Sequence, residues 1–317
     1  MNLERLSAGE STIAIRIALA FRVLKAKLSG GSMNQYEKDQ NLDQEVIDGF
    51  GHEWAAFDYS ENENDEALDK QFLAYCSPIN LDQFSVKSSI AADFGAGSGR
   101  WTARLLPYFS LIYALEPSDG ANQVLGNKFK NESRMRILQE SVGANSIPAE
   151  SLDLAMSLGV LHHIPDTGLA IQDVATKIKS GGVFLCYLYY KLENKPVLYR
   201  GLFWTSNSLR WVISRMPYAM RRFIAQIIAG MIYFPLARIS RLLKDKGKDV
   251  SNFPLHHYAN MPFVMLRNDA LDRFGTRLEQ RFSKKEIIEM IGNAGFDLST
   301  LKFSEEEPFW TFAVKKI

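Results

Sequence analysis

Only two cysteines, Cys76 and Cys186, occur in 317 residues. They are too few for a disulfide framework, and neither CxxC spacing nor clustering points to a zinc or iron–sulfur site. Both are expected to be small buried hydrophobes in a reducing, cytoplasmic compartment. Also missing is any uninterrupted apolar run of roughly 20 residues, the length a membrane-spanning helix needs. The nearest is Phe223 to Ala237, fifteen residues between Arg222 and Arg238. With Gln226, Gly230 and Pro235 inside it, this stretch reads as too short and too broken to span. The apolar stretch Ile13 to Leu24 contains Arg16 and Arg22 and is followed by no small-residue cleavage site, so it does not read as a signal peptide. Nor is there an excess of one charge: 37 Lys and Arg stand against 36 Asp and Glu, a net of +1. That balance excludes a protein that coats nucleic acid along its whole length.

What is present is uneven. From Glu37 to Asp69 there are twelve acidic residues and one lysine, and from Lys191 to Lys248 twelve basic residues and two acidic ones. An acidic segment of net −11 and a basic segment of net +10 are hidden in the average. No internal repeat or low-complexity tract is visible.

Between about residues 66 and 190, short apolar runs alternate with helical patterns, which predicts βαβ units and a parallel sheet. Ser89 to Phe94, Leu111 to Glu116, Arg134 to Gln139, Leu152 to Leu158 and Gly182 to Tyr189 read as five strands. Thr167 to Lys179 reads as a helix, and Ser180-Gly181-Gly182 as the turn after it. Ser283-Lys-Lys-Glu286 is a capping box that opens a helix, and Gly295 stands where that helix would stop. Leu298 to Phe303 and Phe309 to Val314 complete the sheet.

The strongest local signal is Asp93-Phe-Gly95-Ala96-Gly97-Ser-Gly99-Arg100, between a strand and a helical segment. Glycines let backbone N–H groups approach a ligand closely, and the helix N-terminus favours negative charge. A dinucleotide fingerprint would need a glycine where Arg100 stands, and no Lys followed by Ser or Thr makes the loop a P-loop. Seventeen residues after Gly99, Glu116 ends the second strand, where a carboxylate can accept hydrogen bonds from both hydroxyls of a ribose.

This pair resembles the class I S-adenosylmethionine-dependent methyltransferases, and further matches follow in order. Glu116-Pro117-Ser resembles their second motif, Ser157-Leu158-Gly-Val-Leu-His162-His163-Ile-Pro-Asp166 the segment after their fourth strand, and Lys179-Ser-Gly-Gly-Val-Phe the lead-in to their fifth. Phe50-Gly-His-Glu-Trp54 looks like an upstream element of bacterial members acting on glycans or other small molecules. The resemblance covers roughly residues 66–190 and 283–317. It implies a Rossmann-like α/β fold with a mostly parallel seven-stranded sheet, helices on both faces and a helical insertion. It also implies S-adenosyl-L-methionine as cofactor, held by Asp93, Gly95, Ala96, Gly97, Gly99, Arg100, Glu116, Pro117 and Leu158. Many members place an Asp after the third strand for the adenine. Here Glu140-Ser-Val-Gly143-Ala144-Asn145 has none, so Gly143, Ala144 and Asn145 are expected to serve.

An oxygen acceptor must lose its proton near the transition state, a task suited to histidine at neutral pH. His162 and His163, at the carboxyl edge of the sheet, are the candidates, one as base or both as loop and cofactor contacts. Trp54, Tyr187, Tyr190 and Arg267 are expected at the acceptor. No metal is expected: Gly159 and His162 stand where metal-binding relatives carry carboxylates, and His256-His257 lacks carboxylates nearby.

The implied layout is an N-terminal helical arm over 1–65, a cofactor core over 66–190, a basic and aromatic helical insertion over 191–265, and completion of the core over 266–317. The insertion and the basic stretch Ile13 to Leu28 suit either a solvated face packed on the core or peripheral contact with the inner face of a membrane. Nucleic acid is disfavoured by the long apolar runs between the arginines. The acidic segment could instead neutralise the insertion. Three functions remain at this point: O-methylation of a sugar or glycan-type small molecule, methylation of a membrane lipid or quinone, or a non-catalytic cofactor-binding partner protein. The acceptor atom and the oligomeric state are not legible.

Overall fold

The computed structural model describes residues 40–56, 66–193, 196–251, 253–305 and 310–317, all within one of the chain's two units, residues 40–317. The stretch Ile13 to Leu28 and residues 57–65 of the acidic segment lie outside the described residues. Strands β1 (Ile90–Phe94), β2 (Leu111–Leu115), β3 (Met135–Leu138), β4 (Leu152–Leu158) and β5 (Ile178–Tyr187) pair in parallel. Strands β6 (Phe296–Phe303) and β7 (Thr311–Lys316) add an antiparallel edge, so the order is β3-β2-β1-β4-β5-β7-β6. The expected seven-stranded, mostly parallel sheet is the one observed.

Alternation along each strand divides its side chains between two cores. Ala92, Phe94, Phe184 and Cys186 face the layer built on helices α5 (Thr167–Ala175) and α10 (Lys284–Asn293). Ala91, Leu154, Val183 and Leu185 face the layer holding Leu68 and Phe72 of α2 (Glu66–Tyr75) and Leu125 of α4 (Asp119–Lys128). Both cysteines are buried and free. Helix α1 (Gln44–Ala56) packs on α4, and α3 (Thr102–Leu105) is a single turn after the glycine loop.

Two boundaries differ from the sequence reading. Helix α5 stops at Ala175, and Ser180-Gly181-Gly182 lies inside β5, not before it. Register passes from Leu152↔Ile178 to Leu154↔Val183, so the extra residues on β5 form a bulge. A Cβ on Gly182 would stand 2.8 Å from the Leu152 carbonyl oxygen, which explains glycine at this close approach.

The insertion contributes α6 (Val197–Ile213), then α7 (Tyr218–Ile228) and α8 (Phe234–Asp245), joined by a π turn at Ala229–Tyr233. Residues Tyr218–Asp245 therefore form one unbroken helix, the one among the described residues that is long and apolar enough to cross a membrane by length and composition. Pro235 and Gly230 do not break it. The Phe234 N–H donates to the Ala229 carbonyl, five residues back, and this wider turn relieves the crowding that a proline ring imposes on the turn before it. The inner side of the long helix, including Ala225, Ile228, Tyr233 and Ala237, packs with Leu266, Ala270 and Phe274 of α9 (Phe263–Gly275). A boundary at 265/266 would cut α9. The excursion closes later: Tyr190 bridges Phe282, with the Lys191 N–H donating to the Phe282 carbonyl and the Phe282 N–H to the Tyr189 carbonyl.

Candidate cofactor cleft and histidine loop

Strand order reverses between β1 and β4, and ligands of open α/β sheets bind beyond the carboxyl ends of the strands at such a point. A cleft of about 970 Å³, measured out to its open mouth, lies there. Its walls are the glycine loop after β1, Glu116 and Pro117 after β2, Glu140 to Val142 after β3, Leu158 to Val160 after β4, and one side of α1.

The loop is shaped by backbone that other residues adopt at a cost. Gly95 has φ +84°, and a Cβ there would lie 2.5 Å from Val160. Gly97 has φ +55°, with the Trp54 indole where its Cβ would be, at 2.8 Å. The Gly95 and Ala96 N–H groups donate to the Leu115 carbonyl at 2.8 and 2.9 Å, and the Gly97 N–H donates to Glu116 Oε2 at 3.0 Å. Glu116 Oε1 accepts from the Ser118 N–H at 3.0 Å and the Ser118 hydroxyl at 2.7 Å. Burial raises the Glu116 pKa, and the bonds from Ser118 and Gly97 oppose that rise. Each carboxylate oxygen has about two acceptor sites, so Oε2 keeps capacity beyond its single N–H bond.

Asp93 does a different job. Its carboxylate accepts the Thr102 hydroxyl at 2.6 Å, tying the end of β1 to α3, and it does not line the cleft. Burial pushes its pKa up to about 7, with the Thr102 bond opposing and Glu116 adding. Gly99 turns toward Phe129 and Leu125. Arg100 lines the cleft and stacks on Trp101 at 4.3 Å, with Trp54 at 5.7 Å.

After β3 the cleft is lined by Glu140, Ser141 and Val142, and not by Gly143, Ala144 and Asn145. The Asn145 side chain is consumed by its own turn, donating to the Val142 carbonyl at 2.7 Å and accepting from the Ile147 N–H at 3.3 Å. The cleft wall after β3 therefore stands a few residues nearer the strand than the expected Gly143, Ala144 and Asn145.

The histidines separate. His162 has no exposed surface, neither ring nitrogen has a hydrogen-bond partner, and its ring stacks on Tyr189 at 3.8 Å. Burial first, then His163 and Arg281, lower its pKa well below the ordinary value, so the ring is neutral and shut away from the cleft. That corrects its candidacy as a base. His163 lines the cleft. Its Nδ1 lies 2.7 Å from the Leu278 carbonyl, an acceptor, so Nδ1 carries a proton, while Nε2 is buried without a hydrogen-bond partner. Nε2 stands 3.9 Å from Asp272 Oδ1. The loop itself is held from the far end of the insertion, where the Gln280 N–H donates to the His162 carbonyl at 3.0 Å and its side chain to the Ile164 carbonyl at 2.6 Å.

Of the expected acceptor residues, Trp54 lines the cleft, while Tyr187 stands beside Gly159 and packs on Tyr75 at 5.2 Å. Tyr190 is turned away, packed on Trp310 at 5.2 Å, and Arg267 does not line the cleft. Among the described residues no group of three or more His, Cys, Asp or Glu is placed to hold a metal ion, His256 and His257 included.

Sequence reasoning missed the N-terminal wall. Asn41, Leu42, Val46, Ile47 and Phe50 line the cleft. Asn41 clamps the histidine loop, donating to the Asp166 carbonyl at 2.7 Å and accepting from the Asp166 N–H at 2.8 Å. The apolar spacing Val46, Ile47, Phe50, Trp54 in an otherwise acidic stretch was the available signal.

The cleft fits a nucleoside-bearing cofactor on two counts: a tight glycine loop at its wall and a buried carboxylate with spare acceptor capacity beside it. Comparison with known proteins adds the family context. An uncharacterized methyltransferase of Geobacillus sp. strain WCH70 is 29% identical over 140 residues, covering 42% of this chain. The chain spans 62% of that relative's length. Among solved structures, human N-acetylserotonin methyltransferase in complex with SAM aligns at 14% identity over 84% of this chain and 56% of its own, with a TM-score of 0.47. A Haemonchus contortus phosphoethanolamine N-methyltransferase aligns at 13% identity over 75% of this chain and 39% of its own, with a TM-score of 0.44. Residues 92–186, the segment that builds the glycine loop, Glu116 and the histidine loop, match the family model of a methyltransferase domain.

Proposed function

We propose that this chain is an S-adenosyl-L-methionine-dependent methyltransferase that methylates oxygen of a sugar or glycan-type small molecule. The observation that carries the cofactor reading is the lock between the Gly97 N–H and Glu116 at the point where strand order reverses. Bound S-adenosyl-L-methionine supplies an activated methyl group for in-line displacement, so this chain's residues need mainly to position the acceptor and exclude water. Gly95 to Gly97 would carry the backbone cradle, Glu116 would accept from the ribose hydroxyls, and Glu140 to Val142 would flank the adenine. Leu158 and Val160 supply apolar wall. His163 would border the acceptor, but its Nε2 is buried beside Asp272, so service as the base requires the ring or its neighbours to move and uncover that nitrogen.

Two charge-assisted hydrogen bonds of about 1.5–3 kcal/mol each are at stake at Glu116. Glu116→Ala should therefore weaken S-adenosyl-L-methionine binding about a hundredfold or more in calorimetry. Unchanged affinity would overturn the cofactor placement. His163→Ala should lower kcat by about 10²–10⁴-fold, whereas His162→Ala should act mainly on stability. Labelled S-adenosyl-L-methionine offered with sugar, lipid and quinone acceptors decides the acceptor class. A lipid or quinone acceptor is the second reading, favoured by the exposed apolar side chains of the insertion. Cofactor binding without transfer to any of these acceptors would leave the non-catalytic alternative.

A further inference from the structure

We propose that the outer face of the Tyr218–Asp245 helix, together with α6, is a docking surface for an anionic phospholipid bilayer on which the helix lies in the membrane plane. The long helix is apolar on two sides. Its inner stripe is committed to α9, as described above, so the helix cannot cross a bilayer without being stripped from the fold. The outer stripe is bare: Met220, Phe223, Ile227, Met231, Phe234 and Leu242 follow one another at spacings of three and four residues or their multiple, and Phe223 is 64% and Met231 75% exposed. Trp204 on α6, 67% exposed, adds an aromatic of the kind enriched at the membrane–water boundary. Isolated apolar side chains on a surface are ordinary, whereas an apolar stripe from Met220 to Phe234, taken up again at Leu242 beyond Arg238, marks an interaction face.

Charge selects the occupant. No charged residue lies between Arg222 and Arg238, while Arg215, Arg222, Arg241, Lys244, Lys246 and Lys248 sit exposed toward the two ends. This is the pattern of an interfacial amphipathic helix, with apolar side chains entering the acyl boundary and cations meeting anionic headgroups. Among the described residues, no ion pair joins the acidic segment to this basic set. Glu45 pairs with Arg277 and Asp69 with Arg104. A second copy of the chain would bring the same cations face to face, which disfavours self-association here.

The test is co-sedimentation of the full chain with phosphatidylcholine vesicles and with vesicles containing phosphatidylserine. Binding is expected on the anionic vesicles, falling as salt is raised. The double variant Phe223→Glu and Met231→Glu should reduce the bound fraction at least tenfold, with unchanged circular dichroism and cofactor affinity, because neither residue lines the cleft. Arg222→Glu with Arg241→Glu should remove the preference for anionic vesicles. Absence of binding, or binding indifferent to the Phe223 and Met231 changes, would overturn the proposal. So would a dimer in sedimentation velocity that those changes dissolve, or a cross-link from a probe on Met231→Cys to residues 1–39. Labelling of that variant is selective because Cys76 and Cys186 are buried.

Discussion

Asp93 and Glu116 are carboxylates buried within one loop system, and for Asp93 burial outweighs the Thr102 hydrogen bond, leaving its pKa at about 7. In the unfolded chain the same carboxyl titrates near pH 3.9. Between about pH 4 and 7 the folded state therefore holds a proton that the unfolded state has released, and stability falls as pH rises through that window, then levels off. Asp93→Asn keeps an acceptor for Thr102 and has no charge to bury. Relative to wild type it should gain stability from pH 4 to pH 8, by about 4 kcal/mol at most, in urea unfolding at the two pH values. An equal difference at both would mean that another group carries the dependence. The residue scale is also where the sequence was least legible. Nothing in the pair His162-His163 says which ring is sealed under Tyr189 and which borders the cleft, because that is decided by Leu278, Asp272 and Gln280, more than a hundred residues away.

Elements were legible wherever local chemistry alone dictates them. The Ser283-to-Glu286 capping box is present with both reciprocal bonds, and Gly295 closes the following turn at φ +73°. Ser283→Ala should cost about 1 kcal/mol and lower the thermal midpoint by roughly 2 °C, readable by calorimetry. The β4 limits, Leu152 to Leu158, follow directly from a bounded apolar run. Where pattern and context compete, reading failed in a regular way. A glycine pair that signals a turn in isolation became a bulge in β5 because neighbouring strands on both sides supply pairing. Pro235, a helix breaker by local rules, was absorbed by a π turn because α9 holds the inner face of the helix in place. The wall that α1 adds to the cleft was obscured because its apolar residues sit in the most acidic stretch of the chain.

At the scale of the whole molecule, the near-zero net charge conceals a separation that described ion pairs do not cancel. The chain should be retained on a cation exchanger at pH 7 beyond what a net charge of +1 suggests, and Arg222→Glu with Arg241→Glu should elute at clearly lower salt. Elution unchanged by those substitutions would place the basic surface elsewhere. The bridge between Tyr190 and Phe282 has a different consequence. Everything from residue 191 to 281 leaves and rejoins the sheet at one stapled point, so its two ends are already neighbours. Such a segment can be exchanged for that of a relative with little loop-closure cost, but the exchange would also replace Asp272, Leu278 and Gln280, which hold the histidine loop. A graft across that staple would therefore replace the outer surface and the support of the histidine loop together, while the glycine loop and Glu116 keep their own bonds.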